Sequence, residues 1–400
     1  PGHIADACSD RWLTLFAWIT ALEAAMPWTE VSIVDERREF VCLARQEGAN
    51  VSALCGRYGI SRQTGYKWLR RARDPQEDFT DRSRAPHCQP KRTSPGLERA
   101  ILKVRDAHPA WGSRKIAHCL VRDGLQPPAL STIHAILERH DRIRPKDRHR
   151  HSHCRFAKQE PNQLWQMDFK GHVTIGGKVR CHPFCILDDH SRFSICLSAC
   201  ENERTVTVKP LLVRAFQRYG LPSAIYVDNG SPWGCGVPGS WTELGVWLLK
   251  LGIAVIHGQP YHPQGRGKIE RFHRTLKAEV FSTTAVSDMS LAQMQARFDH
   301  WRMIYNIERP HEALNMDVPA NLYQPSPRDY PAVLPQVEYD AGEILRRVGT
   351  SKAYISFRNR LWKVPQPFRG ETLAVRPRAR QGQYNICFGA TTIARIDLNE

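Results

Sequence analysis

Near residue 163 the apolar pattern of this chain changes period, from the three-to-four spacing of helices to the alternation of strands. Gln166–Ile175, Val179–Leu187 and Ser194–Ala199 read as three strands, the first two joined by a turn at Gly176-Gly177. A helix over Thr207–Tyr219 follows, closed by Gly220 and Pro222. Then come a short buried strand, Ala224–Val227, a helix, Thr242–Leu251, a strand, Ile253–Ile256, and a long helix starting after Gly267. Strands in succession, then helices alternating with short strands, predict a mixed sheet with helices packed on its faces.

That region fills less than half of the 400 residues. A chain this long exceeds one ordinary core, and about two to four domains follow. The excess of 57 Lys+Arg over 40 Asp+Glu leaves +17 and a pI near 9.6. Such an excess speaks about partners and not about fold, and nucleic acid is the first polyanion to consider. Twelve cysteines form no dense framework, so they read as reduced thiols in a cytoplasmic protein. The apolar stretch Trp12–Met26 carries Glu23 and is too short to span a bilayer, so no membrane partner is expected. Residues 1–25 read as upstream sequence or a tag remnant, with the natural start at Met26.

Residues 26–74 carry a helix-turn-helix pattern. Ser32 caps a first helix through Glu47, with Phe40, Val41 and Ala44 on one face; Asn50 caps Val51–Tyr58, which stops at Gly59; Ser61 caps Arg62–Arg73. The third helix presents Arg62, Gln63, Thr64, Lys67, Arg70 and Arg71, a composition suited to a DNA groove. A plain three-helix bundle with a solvated basic face is the competing description. Residues 75–94 read as a linker. Residues 95–140 form a second helical, DNA-binding domain of Leu97–Ala107, Ser113–Arg122 and Ser131–His140, where DNA contact and a packing role stand equal.

A basic linker, 141–160, follows; residues 138–158 hold eight Lys/Arg against three acids. His149, His151, His153 and Cys154 with Cys181 and Cys185 do not make a zinc site, because the last two fall in a strand at the wrong spacing. The tail, 340–400, returns to β-rich runs at Ala353–Phe357, Leu361–Val364, Leu373–Val375, Tyr384–Phe388 and Thr392–Ile396. Eleven basic residues against five acids suit a small β-barrel-like domain that touches DNA, or an oligomerisation module.

Three acids stand out. Asp168 lies mid-strand among Trp165, Met167 and Phe169, where a carboxylate is costly unless neutralised. Period two puts Gln166, Asp168 and Lys170 on one face. Asp228 ends the strand Ala224–Val227, and strand ends facing a crevice are where open sheets bind ligands. Glu270 opens a helix whose His273, Arg274 and Lys277 share its face. Hard divalent ions prefer oxygen donors, so three carboxylates on separate elements make sense as a metal clamp. Each acid alone has an ordinary explanation: Asp228-Asn229-Gly230 as a turn, Glu270 as a helix-surface partner of Arg274. The pair Asp188-Asp189, before His190-Ser191-Arg192, reads as turn chemistry and not as metal ligands.

The company these acids keep is specific. The blocks are Asn162 to Gly171 (NQLWQMDFKG), Leu187 to Phe193 (LDDHSRF), Val227 to Gly230, Tyr261-His262-Pro263-Gln264, Gly267 to Lys277 (GKIERFHRTLK), Tyr305-Asn306, Arg309 to Leu314 (RPHEAL) and Pro319-Ala320. In this order they resemble the bacterial insertion-sequence transposases of the retroviral-integrase-like superfamily, over roughly residues 26–325. The resemblance implies an RNase H-like catalytic core over 161–325 and an Asp-Asp-Glu triad at Asp168, Asp228 and Glu270. It further implies two Mg2+ ions, replaceable by Mn2+, held by those carboxylates. The 41 residues from Asn229 through Ile269 exceed the commonest spacing in that superfamily, with the surplus in the loop Ser231–Ser240. Trp241 there is expected to pack in the core, and Trp233 is open between packing and base stacking.

The implied reaction is metal-dependent cleavage at transposon ends and strand transfer by in-line phosphoryl transfer. The implied partners are double-stranded DNA, both terminal inverted repeats and target, with at least two protomers on the DNA. Such a protein would be nucleoid-associated when bound. Lys268, Arg271, His273 and Arg274 are expected to bind phosphates beside Glu270, against a merely solvated basic face; Arg309 and His311 have no assigned role. A catalytically inactive, domesticated relative acting as a DNA-binding regulator is the main alternative. A general RNase H-type nuclease would not need two helical DNA-reading units.

Overall fold

The computed structural model describes residues 32–82, 92–143, 157–234, 240–258, 267–282 and 286–399. Residues 1–25, the His149–Cys154 cluster, the Tyr261–Gln264 block, residues 83–91 of the expected linker 75–94 and residues 235–239 of the long loop lie outside them. The chain divides into two compact units, residues 1–92 and 93–400. No helix among the described residues is long and apolar enough to cross a membrane.

The first unit is the expected three-helix arrangement. Helix α1 (Ile33–Ala44) is capped by Ser32, whose hydroxyl accepts from Asp35 N. Helix α2 (Val51–Arg57) is capped by Asn50, and Gly59 turns the chain at φ +63 toward α3 (Arg62–Arg71), capped by Ser61. Phe40, Val41, Cys55, Trp68 and Ala72 form the core. A Cβ at Gly65 would stand 2.6 Å from Cys55 Sγ, so α3 crosses the other helices at a distance that only glycine permits.

The second unit opens with α4 (Pro95–Ala107), α5 (Ser113–Arg122) and α6 (Leu130–Arg139), closed around Ile101, Ile116, Leu120, Ile133, Ile136 and Leu137. Arg114 pairs with Glu312 at 3.3 Å, and Arg122 donates to the Glu308 carbonyl at 3.3 Å. These contacts tie this helical set to the sheet domain that follows.

The sheet domain has strands β1 (Trp165–Phe169), β2 (Val173–Ile175), β3 (Val179–Asp188) and β4 (Ser194–Cys200), helix α7 (Thr205–Tyr219), β5 (Ala224–Val227), helix α8 (Glu243–Lys250) and β6 (Ala254–His257). Helices α9 (Gly267–Leu276) and α10 (Leu291–Met303) complete it, each ending in a widened π turn, and α11 (Pro319–Leu322) is a single turn. The single strand expected over Gln166–Ile175 is broken at Gly171, φ +81, into β1 and β2, which share one partner, β3. β3 runs antiparallel to β1 and β4, whereas β1, β5 and β6 are parallel. Alternation then assigns the faces. Trp165, Met167, Phe184 and Ile186 pack with α7 and α8; Cys181, Cys185, Leu187 and Leu197 pack with α9 and α10. The result is a three-layer, mixed-sheet, RNase H-like core.

The tail folds as β7 (Ile344–Arg347), β8 (Tyr354–Phe357), β9 (Arg360–Lys363), β10 (Thr372–Pro377), β11 (Gln383–Phe388) and β12 (Thr391–Asp397). Four strands form an antiparallel sheet in the order β12-β11-β10-β7, and β8-β9 is a hairpin over the same core. β7 had no counterpart in the sequence reading; its Ile344 and Leu345 are exposed, so no alternation marks it. Helix α8 serves two cores: Leu244 and Trp247 enter the three-layer core, while Val246 enters the barrel-like one. Lys250 seals the junction with Glu371 at 2.6 Å.

Candidate active site

β1 and β5 are paired in parallel with Gln166 beside Tyr226. Two residues farther along each strand stand Asp168 and Asp228, so the register carries both carboxylates to the same level at neighbouring strand ends. Asp168 points away from Trp165 and Met167, toward α9, and its side chain is 15% exposed. His273, one turn and a half along α9, brings Nδ1 to 3.9 Å from Asp168 Oδ2. Asp228 is half-buried; its Oδ1 accepts from Gly230 N at 3.1 Å, and Asn229 anchors the loop by donating to the Gly258 carbonyl at 2.9 Å.

Glu270 lies on α9, which packs against β1, with its side chain exposed. Among the described residues no group of three or more His, Cys, Asp or Glu side chains is arranged to hold a metal ion. Asp168 and Asp228 thus occupy equivalent positions two residues beyond the last β1–β5 pair, and Glu270 lies on the helix packed against β1. All three are oxygen donors, which suits a hard divalent cation in chemical kind.

The neighbouring acids behave differently. Asp188 and Asp189 are fully buried. Asp188 accepts from Asn162 N, Ser191 N and Ser191 Oγ, the turn chemistry expected of it. Burial pushes its carboxyl above the usual range, against the pull of these donors. Asp189 accepts from Lys158 N at 2.8 Å, from Gln166 Nε2 at 2.9 Å and from Lys268 Nζ at 2.5 Å. Lys268 was expected to face phosphates; the structure turns it inward, 13% exposed, against Asp189. Burial lowers its affinity for a proton, and Asp189 opposes that. The signal for this pairing was legible as an acid directly after an apolar strand, but nothing in the spacing named its partner.

Of the other predicted phosphate contacts on α9, Arg271 and Arg274 are exposed and His273 turns to Asp168. On α3, Arg62, Gln63, Lys67 and Arg70 are exposed. Thr64 is drawn into the cap, its hydroxyl 2.9 Å from Ser61 Oγ. Arg71 is not a groove-facing residue: it lies over Trp68 and pairs with Glu77, both side chains nearly buried. That guanidinium pulls the Glu77 carboxyl down to about 2.

Three residues without an assigned role acquire one. Asn306 bonds Ser194 N at 2.8 Å and Ser194 O at 3.1 Å, fixing the start of β4. Arg309 pairs with Glu279 at 3.0 Å. His311 is buried against Tyr305 and stays neutral, its pKa pushed down to about 3 by burial and by Arg309. Asn162, at the head of the block that runs to Gly171, accepts through its side chain from Trp165 Nε1 and Tyr323 Oη and donates to the Gln324 carbonyl. Trp233, left open, is 3% exposed and stacks on Phe184. Trp241 meets Phe368 edge-on at 5.6 Å, so it packs against the barrel-like core and not the sheet core.

Residues 158–263 and 251–319 match the integrase core domain, and residues 345–400 match the C-terminal domain of IS481 family transposases. By these matches the chain carries an integrase core domain and a C-terminal segment similar to that of IS481 family transposases. Homeodomain-like domains match residues 34–78 and 64–137, covering both helical sets. Similar proteins include the insertion element IS476 uncharacterized 39.2 kDa protein of Xanthomonas euvesicatoria, 25% identical over 58% of this chain and 65% of that protein. The IS407 uncharacterized 31.7 kDa protein of Burkholderia multivorans is 26% identical over 40% and 54%. The Gag-Pro-Pol polyprotein of mouse mammary tumor virus is 33% identical over 30% of this chain and 6% of the polyprotein. The chain thus spans less than two thirds of each. Among solved structures, the simian T-cell lymphotropic virus intasome in complex with PP2A regulatory subunit B56 gamma aligns at 18% identity over 74% of this chain and 96% of that one, TM-score 0.36. The HTLV-2 integrase catalytic core domain in complex with magnesium aligns at 15% identity over 41% and 97%, TM-score 0.31.

Proposed function

We propose that this chain is an active DNA transposase that cleaves at transposon ends and joins them to target DNA, with Asp168, Asp228 and Glu270 as its catalytic carboxylates. The observation that supports the reading is the parallel register of β1 and β5, in which Asp168 and Asp228 each follow the Gln166–Tyr226 pair by two residues, beside the helix bearing Glu270. These three residues would hold two Mg2+ or Mn2+ ions, which when bound supply Lewis-acid activation of an attacking oxygen and stabilisation of the leaving one. Hydrolysis at an element end frees a 3′-hydroxyl, and that hydroxyl then attacks a target phosphodiester in line. Each joining step forms one P–O bond and breaks one, so no ATP is required. The exposed Arg271 and Arg274 bind phosphates along α9, and α3 reads DNA through Arg62, Gln63, Lys67 and Arg70. Two protomers, at least, bring the two ends together.

The test is strand transfer with Asp168→Asn. The variant binds an end duplex as the parent does and loses magnesium-dependent joining; parental joining by the variant would remove the triad assignment. A parent that binds ends yet neither cuts nor joins with Mg2+ or Mn2+ would favour a regulator, a reading supported by the exposed side chain of Glu270.

A further inference from the structure

The start of α9 is held by side chains from two other elements. Its first N–H groups lack helical acceptors, as at every helix start. One of them, Ile269 N, donates to Gln166 Oε1 at 3.2 Å. The other end of that amide, Nε2, donates to Asp189 Oδ1 at 2.9 Å, and a carboxylate can only accept here, which fixes the orientation of the amide. Asp189 in turn holds Lys268, the residue before Ile269, at 2.5 Å. Gln166 is 1% exposed and Asp189 0%.

We propose that Gln166 and Asp189 are positioning residues that latch the first turn of α9 onto β1 and thereby set where Glu270 stands relative to Asp168. The inference rests on the triad reading above. Its geometry is short at both ends: Asp168 is two residues beyond Gln166 on β1, and Glu270 immediately follows Ile269 on α9. A polar latch has directional bonds that an apolar contact lacks, so it specifies the seating of the helix and not merely its burial. It is also intolerant of partial removal, since losing Asp189 alone leaves the Lys268 ammonium buried without its counter-charge.

The full chain is compared as parent, Gln166→Leu, Asp189→Asn, and Asp189→Asn combined with Lys268→Met. Hydrogen exchange is read separately in α9 and in β3 and β4, beside end binding and strand transfer with Mg2+. Gln166→Leu and Asp189→Asn are expected to speed exchange in α9 by about tenfold or more while β3 and β4 keep their protection. Joining falls by about 100-fold, the scale of an ångström-sized misplacement, with end affinity unchanged. Adding Lys268→Met to Asp189→Asn removes the stranded charge and restores protection in α9. Unchanged α9 exchange in both single variants would overturn the latch. So would equal loosening of α9, β3 and β4, which marks a general core residue. If Gln166→Leu does not fold, the Asp189 single and double variants decide. Failure of the parent to join DNA refutes the triad reading alone, because the exchange comparison needs no catalysis.

Discussion

Two pairs of carboxylates flank the same central strand, and they are treated in opposite ways. At the start of β1, Asp188 and Asp189 are fully buried and surrounded by donors: two backbone N–H groups and a hydroxyl on one, an N–H, an amide and an ammonium on the other. Near its end, Asp168 and Asp228 lie abreast and remain in reach of solvent. Asp168 keeps the His273 ring beside it, and Asp228 accepts from Gly230 N. The difference teaches that the sequence-adjacent acids are committed to contacts within the fold, while the sequence-distant ones are those that the proposed function would use to hold metal.

That contrast can be broken by exchanging the assays. Asp228→Asn should lower strand transfer on the order of 10³-fold, the scale of removing one transition-state charge stabiliser, with the unfolding midpoint unchanged. Asp188→Ala should do the reverse in kind, lowering unfolding stability in denaturant titration by about 1–3 kcal/mol through the Asn162 N, Ser191 N and Ser191 Oγ donors it leaves without an acceptor. Equal loss of stability in the two variants would end the distinction.

Protonation sharpens it further. His311 titrates near 6.5 when unfolded and near 3 when folded, so its folded value is depressed. Its contribution is present above 6.5 and is lost as pH falls toward 3, because only the unfolded chain takes up the proton. Stability of the sheet domain should therefore decline below pH 6.5 with a slope of up to about 1.4 kcal/mol per pH unit from this group. His311→Gln should flatten that slope in pH-dependent melts; an unaltered slope would show the imidazole is not neutral in the fold. The smallest effect belongs to the exposed face of α3: Lys67→Ala should weaken DNA binding modestly and reduce the log-log salt slope by about 1, whereas Arg71→Ala, lacking a phosphate, should leave that slope alone.

Much of this was legible in the sequence because local rules decided it. Ser32, Asn50 and Ser61 cap the helices they precede, and period two sorted Trp165 and Met167 from Gln166 and Asp168 onto opposite faces of the sheet. What escaped was set by partners distant in the chain. Lys268 and Arg71 each sit on a basic helix face in sequence, yet buried acids, Asp189 and Glu77, draw both inward. β7 escaped because its pairing with β10 is satisfied through the backbone while its apolar side chains face outward. Trp241 packs in a core as expected, but which core was not legible, because the barrel-like domain that covers it lies far along the chain.

The most direct trial of the account is a structure of the protein with a transposon-end duplex and Mn2+. The carboxylates of Asp168, Asp228 and Glu270 are predicted to meet around metal density, with α9 still seated on Gln166. Metal density bound elsewhere, or Glu270 turned outward beside a bound end, would contradict it.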